Sequence, residues 1–266
     1  MRRPRAALYF LLNVMLLALA GCEQTPTGRS QLALLPDSMM TDMGERAFVQ
    51  MKQNRSLATA EAPTQLVRCV AEQIIATVQR QYPPADRPGS WEVRVFEDPT
   101  PNAFALPGGH IGVHTGVLQV AETPAQLAAI LGHEVGHVLA EHGNERMTHQ
   151  LGIKIALLLL GLLGDIEQGE LLRALGLGAQ LGITLPFSRA HESEADRMGL
   201  MLMAAAGFEP AQSVALWRNM AANSDGQPIE FLSTHPAHGS RIQELQRQLP
   251  EAERLYRAAT SADCTR

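Results

Sequence analysis

Apolar and polar positions follow a helical period over most of the chain and a strand period over one short stretch. Residues 37–54 and 63–82 read as helices, the second with Leu66, Val70, Ile74 and Val78 at spacings of four behind Pro63. The cluster from Pro83 to Gly89 is a break. Trp91, Val93 and Val95 then alternate with Glu92 and Arg94, which predicts a strand. Two more short strands, Ala103 to Leu106 and His110 to His114, flank Pro107-Gly108-Gly109 and predict a hairpin. A long helix starts at Thr123-Pro124: threonine suits the N-cap, proline the first helical position, and Gln126 completes a capping-box-like pattern. It runs to about His142. Further helices are expected at about 188–206, 210–221, 238–248 and 251–259, with Gly207 stopping the first and Pro250 dividing the last two. Many helices and one small sheet predict an α+β fold that is mainly helical.

Two apolar stretches need a separate account. Met1-Arg2-Arg3-Pro4-Arg5 is followed by a run from Ala6 to Ala20 that is short for a membrane span and fits a secretory signal peptide. The run closes on Leu19-Ala20-Gly21-Cys22, which resembles the bacterial lipobox and implies cleavage before Cys22 and lipid attachment to it. Residues 1–21 then form a leader, 22–36 a tether and 37–266 a single domain. Glu23, where an aspartate tends to mark inner-membrane retention, leans the address toward the outer membrane, facing the periplasm. The second stretch, residues 151–185, holds an unbroken apolar run from Ile155 to Leu163, too short to span. It reads as a helical flap over a groove, or as plain core.

Composition narrows the options. The chain carries a formal charge of −5, which becomes −8 for the 245 residues after the leader. With Lys52 and Lys154 as its only lysines, nucleic acid is not the expected partner. Three cysteines exclude a disulfide-rich scaffold. With Cys22 assigned to the lipid, Cys69 and Cys264 remain and can pair in an oxidising compartment.

The candidate chemistry lies in the capped helix, at His133-Glu134-Val135-Gly136-His137. Histidines four apart share a helix face, so both imidazoles can reach one Zn²⁺. Glu134 is placed to take a proton from a water activated by that metal and pass it to the leaving amine. A catalytic zinc keeps three protein ligands and one open position. No H-E-x-x-H-x-x-G-x-x-H pattern follows, since the next candidates are Glu141, His142 and Glu145. Downstream, Glu192 and Asp196 are four apart, so one carboxylate can ligate while the other orients an imidazole. Taken alone, that acidic stretch could equally be a solvated helix face.

The H-E-x-x-H helix, the segment from Ser188 to Gly199, and Asn102-Ala103-Phe104-Ala105-Leu106-Pro107-Gly108-Gly109 ahead of both resemble the HtpX and CAAX-prenyl-protease family of zinc metallopeptidases, in particular its periplasmic lipoprotein members. The resemblance implies a gluzincin-type fold with the active-site helix beneath a small sheet and one Zn²⁺ per chain. It makes Glu192 the third ligand, with Asp196 beside it and Glu194 the competing choice. The strand at Asn102, Ala103 and Phe104, with its Gly108-Gly109 turn, would hold an extended substrate by strand addition. Gly108-Gly109 lacks the Lys-Ser/Thr of a phosphate loop. Phe231 to Ile242 resembles the family's T-H-P segment with its following R-I. That places His235 near the metal, as an oxyanion stabiliser or a fourth ligand in a resting state, and gives Arg241 a carboxylate partner. His110, His114, His142, His149, His191 and His238 receive surface or supporting roles. The implied function is an endopeptidase acting on misfolded or stalled envelope polypeptides, with outer-membrane assembly machinery as a possible partner. The rivals are a chaperone-like assembly lipoprotein with a latent zinc site, and a small-molecule metallohydrolase.

Overall fold

The computed structural model describes residues 22–163, 187–222, 230–235 and 240–264. The expected leader, most of the apolar stretch 151–185 and His238 lie outside them. The chain divides into two compact units, where a single domain over 37–266 was expected: one takes residues up to Asp37 together with 141–185, the other 38–140 together with 186–266.

In the first unit, strands β1 (Cys22–Gln24) and β2 (Ser30–Leu32) pair antiparallel around a turn in which Gly28 has φ +86°. The segment expected as a loose tether is therefore a docked hairpin, because its polar groups find partners on helix α5 (His142–Leu163). Arg29 pairs with Glu145 at 2.7 Å, the Leu34 amide donates to Thr148 Oγ1 at 3.0 Å, and Asn144 bonds the Leu35 backbone in both directions. Leu151, Ile153 and Ile155 on α5 are exposed. Among the described residues no helix is long and apolar enough to cross a membrane.

The second unit begins with α1 (Asp37–Asn54, its first residue shared with the other unit) and α2 (Glu61–Gln81), followed by a 3-10 turn at Pro84–Asp86. Strands β3 (Glu92–Phe96), β4 (Ala103–Leu106) and β5 (His110–His114) form one sheet in the order β3-β5-β4, parallel between β3 and β5 and antiparallel between β5 and β4. Alternation along β5 sets its two faces: Ile111 and Val113 enter the core, while His110, Gly112 and His114 face a layer of aromatic rings. Phe104 lies flat over Gly112, its cross-strand partner, where a Cβ would come within 2.1 Å of the ring. Phe48 of α1 closes this face by stacking on His110.

After a short α3 (Val117–Val120) comes α4 (Pro124–Leu139), the central helix, in which every residue from Gln126 to His137 is buried. Thr123 Oγ1 caps it by accepting the Gln126 amide at 3.1 Å. The reciprocal bond differs from a capping box, since Gln126 Oε1 accepts the Glu122 amide, one residue further out. The helix ends three residues earlier than expected, as Glu141 turns left-handed at φ 51°. Helices α6 (Arg189–Ala205), α7 (Ala211–Ala222), α8 (Glu230–Thr234) and α9 (Arg241–Ala258) follow. Gly207 ends α6 with φ +86°.

Pro250 does not divide α9. It removes one intrahelical hydrogen bond, a cost of about 3 kcal/mol, but Leu245, Leu249, Ala252 and Leu255 form one apolar stripe on both sides of it and all pack on the core. Continuous burial outweighs the local break. Cys69 on α2 and Cys264 in the C-terminal tail are joined by a disulfide, with Cα atoms 5.8 Å apart.

Candidate metal centre

Two helices can bring ligands to one point only if their backbones approach closely. Gly132 and Gly136 each stand one residue before a histidine of α4, and they face Gly199 and Ala195 of α6. A Cβ at Gly199 would fall 2.6 Å from the His133 amide nitrogen, and one at Gly132 would fall 2.8 Å from the Gly199 carbonyl. A side chain at Gly132 or Gly199 would collide with the facing backbone, so α4 and α6 meet backbone to backbone there. Ser188 caps α6 by accepting the His191 amide, which places Glu192 in the first turn and Asp196 one turn later on the same face.

His133, His137, Glu192 and His235 converge in the interior, and all four are buried. His133 Nε2 lies 3.0 Å from His137 Nε2 and 3.1 Å from His235 Nδ1. Glu192 Oε1 lies 3.0 Å from His235 Nδ1 and 3.4 Å from His137 Nε2. Ligands held at zinc-like distances on a tetrahedron are separated by about 3.3–3.4 Å. The donor set fits one such ion. Pairs of neutral imidazoles can share a proton, but three nitrogens and a carboxylate oxygen aimed at one spot call for a common cation. Glu194, the rival ligand, is buried on α6 outside this group.

The surrounding groups fix these donors. Asp196 Oδ1 lies 3.0 Å from His133 Nδ1, and Arg241 binds the Asp196 carboxylate through Nε and Nη2. Burial alone would raise the Asp196 pKa, but the Arg241 charge and the His133 contact lower it, so it stays ionised. Glu192 is likewise lowered against its burial by hydrogen bonds from His137 and His235. Three aromatic rings complete the wall. Phe187 stacks on His137 at 4.0 Å between centroids, and Phe231 stacks on His235 at 4.6 Å. Trp217 packs against Arg241. No sequence motif marks Phe187 or Trp217 as part of the site, and Phe231 is marked only as the first residue of the segment that carries His235.

Glu134 is buried beside the cluster, with Oε1 3.3 Å from His235 Nε2 and outside hydrogen-bond geometry with any group. Burial raises its pKa, opposed by His235 and His133. The Ala105 amide on β4 donates to its carboxylate. Strand amides point either to a partner strand or to the opposite edge, so the β4 edge away from β5 faces Glu134. Ala103 is buried while Asn102 and Phe104 are part-buried, and Gly108 and Gly109 form the turn with φ +87° and +88°. Of the histidines given surface or supporting roles, His114, His142 and His191 are buried, while His149 is exposed.

A helix pair carrying H-E-x-x-H and E-x-x-x-D around a common donor point, with a small sheet alongside, defines a zinc metallopeptidase domain of gluzincin type. Residues 61–249 match peptidase family M48, and the chain belongs to that family. It is 40% identical over 165 residues to the mitochondrial metalloendopeptidase OMA1 of Schizosaccharomyces pombe, covering 61% of this chain and 48% of that one. Against the human mitochondrial metalloendopeptidase OMA1 it is 32% identical over 247 residues, covering 86% and 46%. Against the Beta-barrel assembly-enhancing protease of Escherichia coli it is 29% identical over 150 residues, covering 53% and 31%. The chain spans about half or less of the length of these relatives. The narrower resemblance to HtpX and CAAX prenyl proteases rests on the motifs alone.

Proposed function

We propose that this chain is a zinc-dependent endopeptidase of the bacterial cell envelope that cleaves misfolded or stalled envelope proteins. The observation that carries the reading is the convergence of His133, His137 and Glu192 next to Glu134, with the edge of β4 that pairs with no strand among the described residues facing the same carboxylate. His133, His137 and Glu192 would hold the zinc, which when bound polarises a carbonyl and acidifies a water. Glu134 acts as the general base and then hands its proton to the leaving amine. The β4 edge binds the substrate main chain as an added strand, so affinity depends little on side-chain sequence. An open strand edge favours a polypeptide over a small molecule as substrate.

His235 stands where a fourth donor belongs, and we assign the arrangement to a resting state. Turnover then requires His235 to withdraw from the cluster, after which its ring is placed to stabilise the oxyanion. The relatives, named as peptidases and proteases, support this reading over a chaperone with a latent site. The envelope assignment draws on the lipobox-like Cys22 and on the assembly-enhancing protease relatives, with outer-membrane assembly machinery as the corresponding partner. Glu134→Gln should keep its zinc and lose about 10²-fold or more in cleavage of an unfolded protein. Undiminished cleavage by that variant sinks the protease reading. Membrane fractionation of Cys22→Ser checks the anchor, with release to the soluble fraction expected.

A further inference from the structure

Arg241 is the most enclosed cation among the described residues, and its environment assigns a role to a residue that carries no ligand atom. The guanidinium edge is surrounded by partners, with Nη1 held by an ion pair and no hydrogen bond. Nε and Nη2 bind Asp196, Nη1 lies 2.9 Å from Glu192 Oε2, and Nη2 lies 3.2 Å from His133 Nδ1. One planar group thus pairs with two carboxylates of α6 and lies against an imidazole of α4. A guanidinium donates its N–H groups in its own plane, so hydrogen bonds of this kind resist tilting out of that plane only weakly. What resists tilting is whatever covers the flat face. Trp217 of α7 covers it, with the guanidinium carbon 3.6 Å from the indole ring centroid, and both residues are buried. A desolvated stack of this kind is both an attraction and a steric floor. The same indole lies 6.1 Å from Phe231, the ring that stacks on His235.

We propose that Trp217 is a positioning residue of the metal centre: it holds the plane of Arg241 and, through that plane, the approach of Glu192 and His133 to the metal. The inference rests on reading the cluster as a zinc centre. Indole nitrogen is a donor only, so Trp217 acts on the metal solely through its neighbours. An ordinary core tryptophan in the same place would affect stability and nothing else.

The test uses the zinc-loaded full chain, with zinc affinity measured by chelator competition and ligand geometry by the visible spectrum of the cobalt-substituted protein. Trp217→Leu should weaken zinc binding about tenfold, shift the cobalt bands and lower kcat with little change in KM. Trp217→Phe should recover most of each effect because it restores an aromatic face. In an Arg241→Lys background, which keeps the charge and loses the plane, Trp217→Leu should add almost nothing to the affinity loss. If Trp217→Leu fails to fold, Trp217→Phe against Trp217→Met makes the same comparison, with methionine filling volume without a ring. Wild-type zinc affinity and cobalt spectrum in a merely less stable Trp217→Leu overturn the proposal. So does an equal loss in both backgrounds. A wild-type chain that binds no zinc overturns the underlying metal reading, a result distinct from bound zinc that is indifferent to Trp217.

Discussion

Two regions of this protein bring histidine, carboxylate and arginine together, and only one of them is built for a metal. On the sheet, Arg55 Nη1 lies 2.9 Å from His114 Nε2, Asp98 lies 3.5 Å from His114 Nδ1, and Phe96 and Phe104 pack edge-on to the imidazole. At the centre, Arg241, Asp196 and His133 repeat that set with nearly the same contacts. The difference is convergence. His114 has its ring nitrogens occupied on two sides by separate partners, whereas His133 turns Nδ1 to Asp196 and leaves Nε2 aimed at the nitrogens of two other imidazoles. Composition does not distinguish the two regions; the direction of the lone pairs does, and so does burial, since Arg55 and Asp98 reach solvent while Arg241 and Asp196 do not.

The largest test of this contrast exchanges the two histidines' fates. His133→Ala should reduce zinc from about one per chain to near none after dialysis. His114→Ala should keep its zinc and lose about 1–3 kcal/mol of stability by leaving partners unsatisfied. Zinc loss from the His114 variant would erase the distinction. Next comes the arginine pair. Arg241→Ala leaves buried Asp196 without its counter-ion and should cost roughly 3–5 kcal/mol in urea denaturation. Arg55→Ala, at a half-exposed ion pair, should cost about 0–1 kcal/mol. The smallest effect is on pH dependence. Burial opposes ionisation of Asp98, yet the Thr100 hydrogen bonds and the His114 and Arg55 charges outweigh it and lower its pKa. Its stabilisation is therefore present above the ordinary value of about 3.9 and is lost as pH falls through the lowered one. Asp98→Asn should be less stable than wild type at pH 6, with the gap closing in acid. A gap that persists in acid contradicts the assignment.

Local periodicity made part of this arrangement legible and tertiary packing hid the rest. His133 and His137, like Glu192 and Asp196, can be read from the chain because a helix places residues four apart on one face, whatever surrounds it. Choosing Glu192 over Glu194 needed the resemblance, since both lie on the same helix and both are buried. Pro250 misled because a local penalty was outweighed by an apolar stripe that runs through it. The 22–36 segment misled because its polar residues read as solvated, while Arg29, Leu34 and Leu35 have their partners more than 100 positions away on α5. Phe187 and Trp217 left no signal, because a ring stacked on a ligand is a fact of three dimensions with no fixed spacing, and Phe231 is marked only as the first residue of the segment that carries His235.

The bond between Cys69 and Cys264 closes a covalent ring 195 positions around, and His133, Glu134, His137, Glu192, His235 and Arg241 all lie on that ring. A single cut anywhere along it opens a loop without releasing a fragment. A molecule nicked there would migrate as one species on a non-reducing gel and fall apart only when reductant is added. Such a closure separates damage to the chain from loss of the half that carries the metal-centre residues.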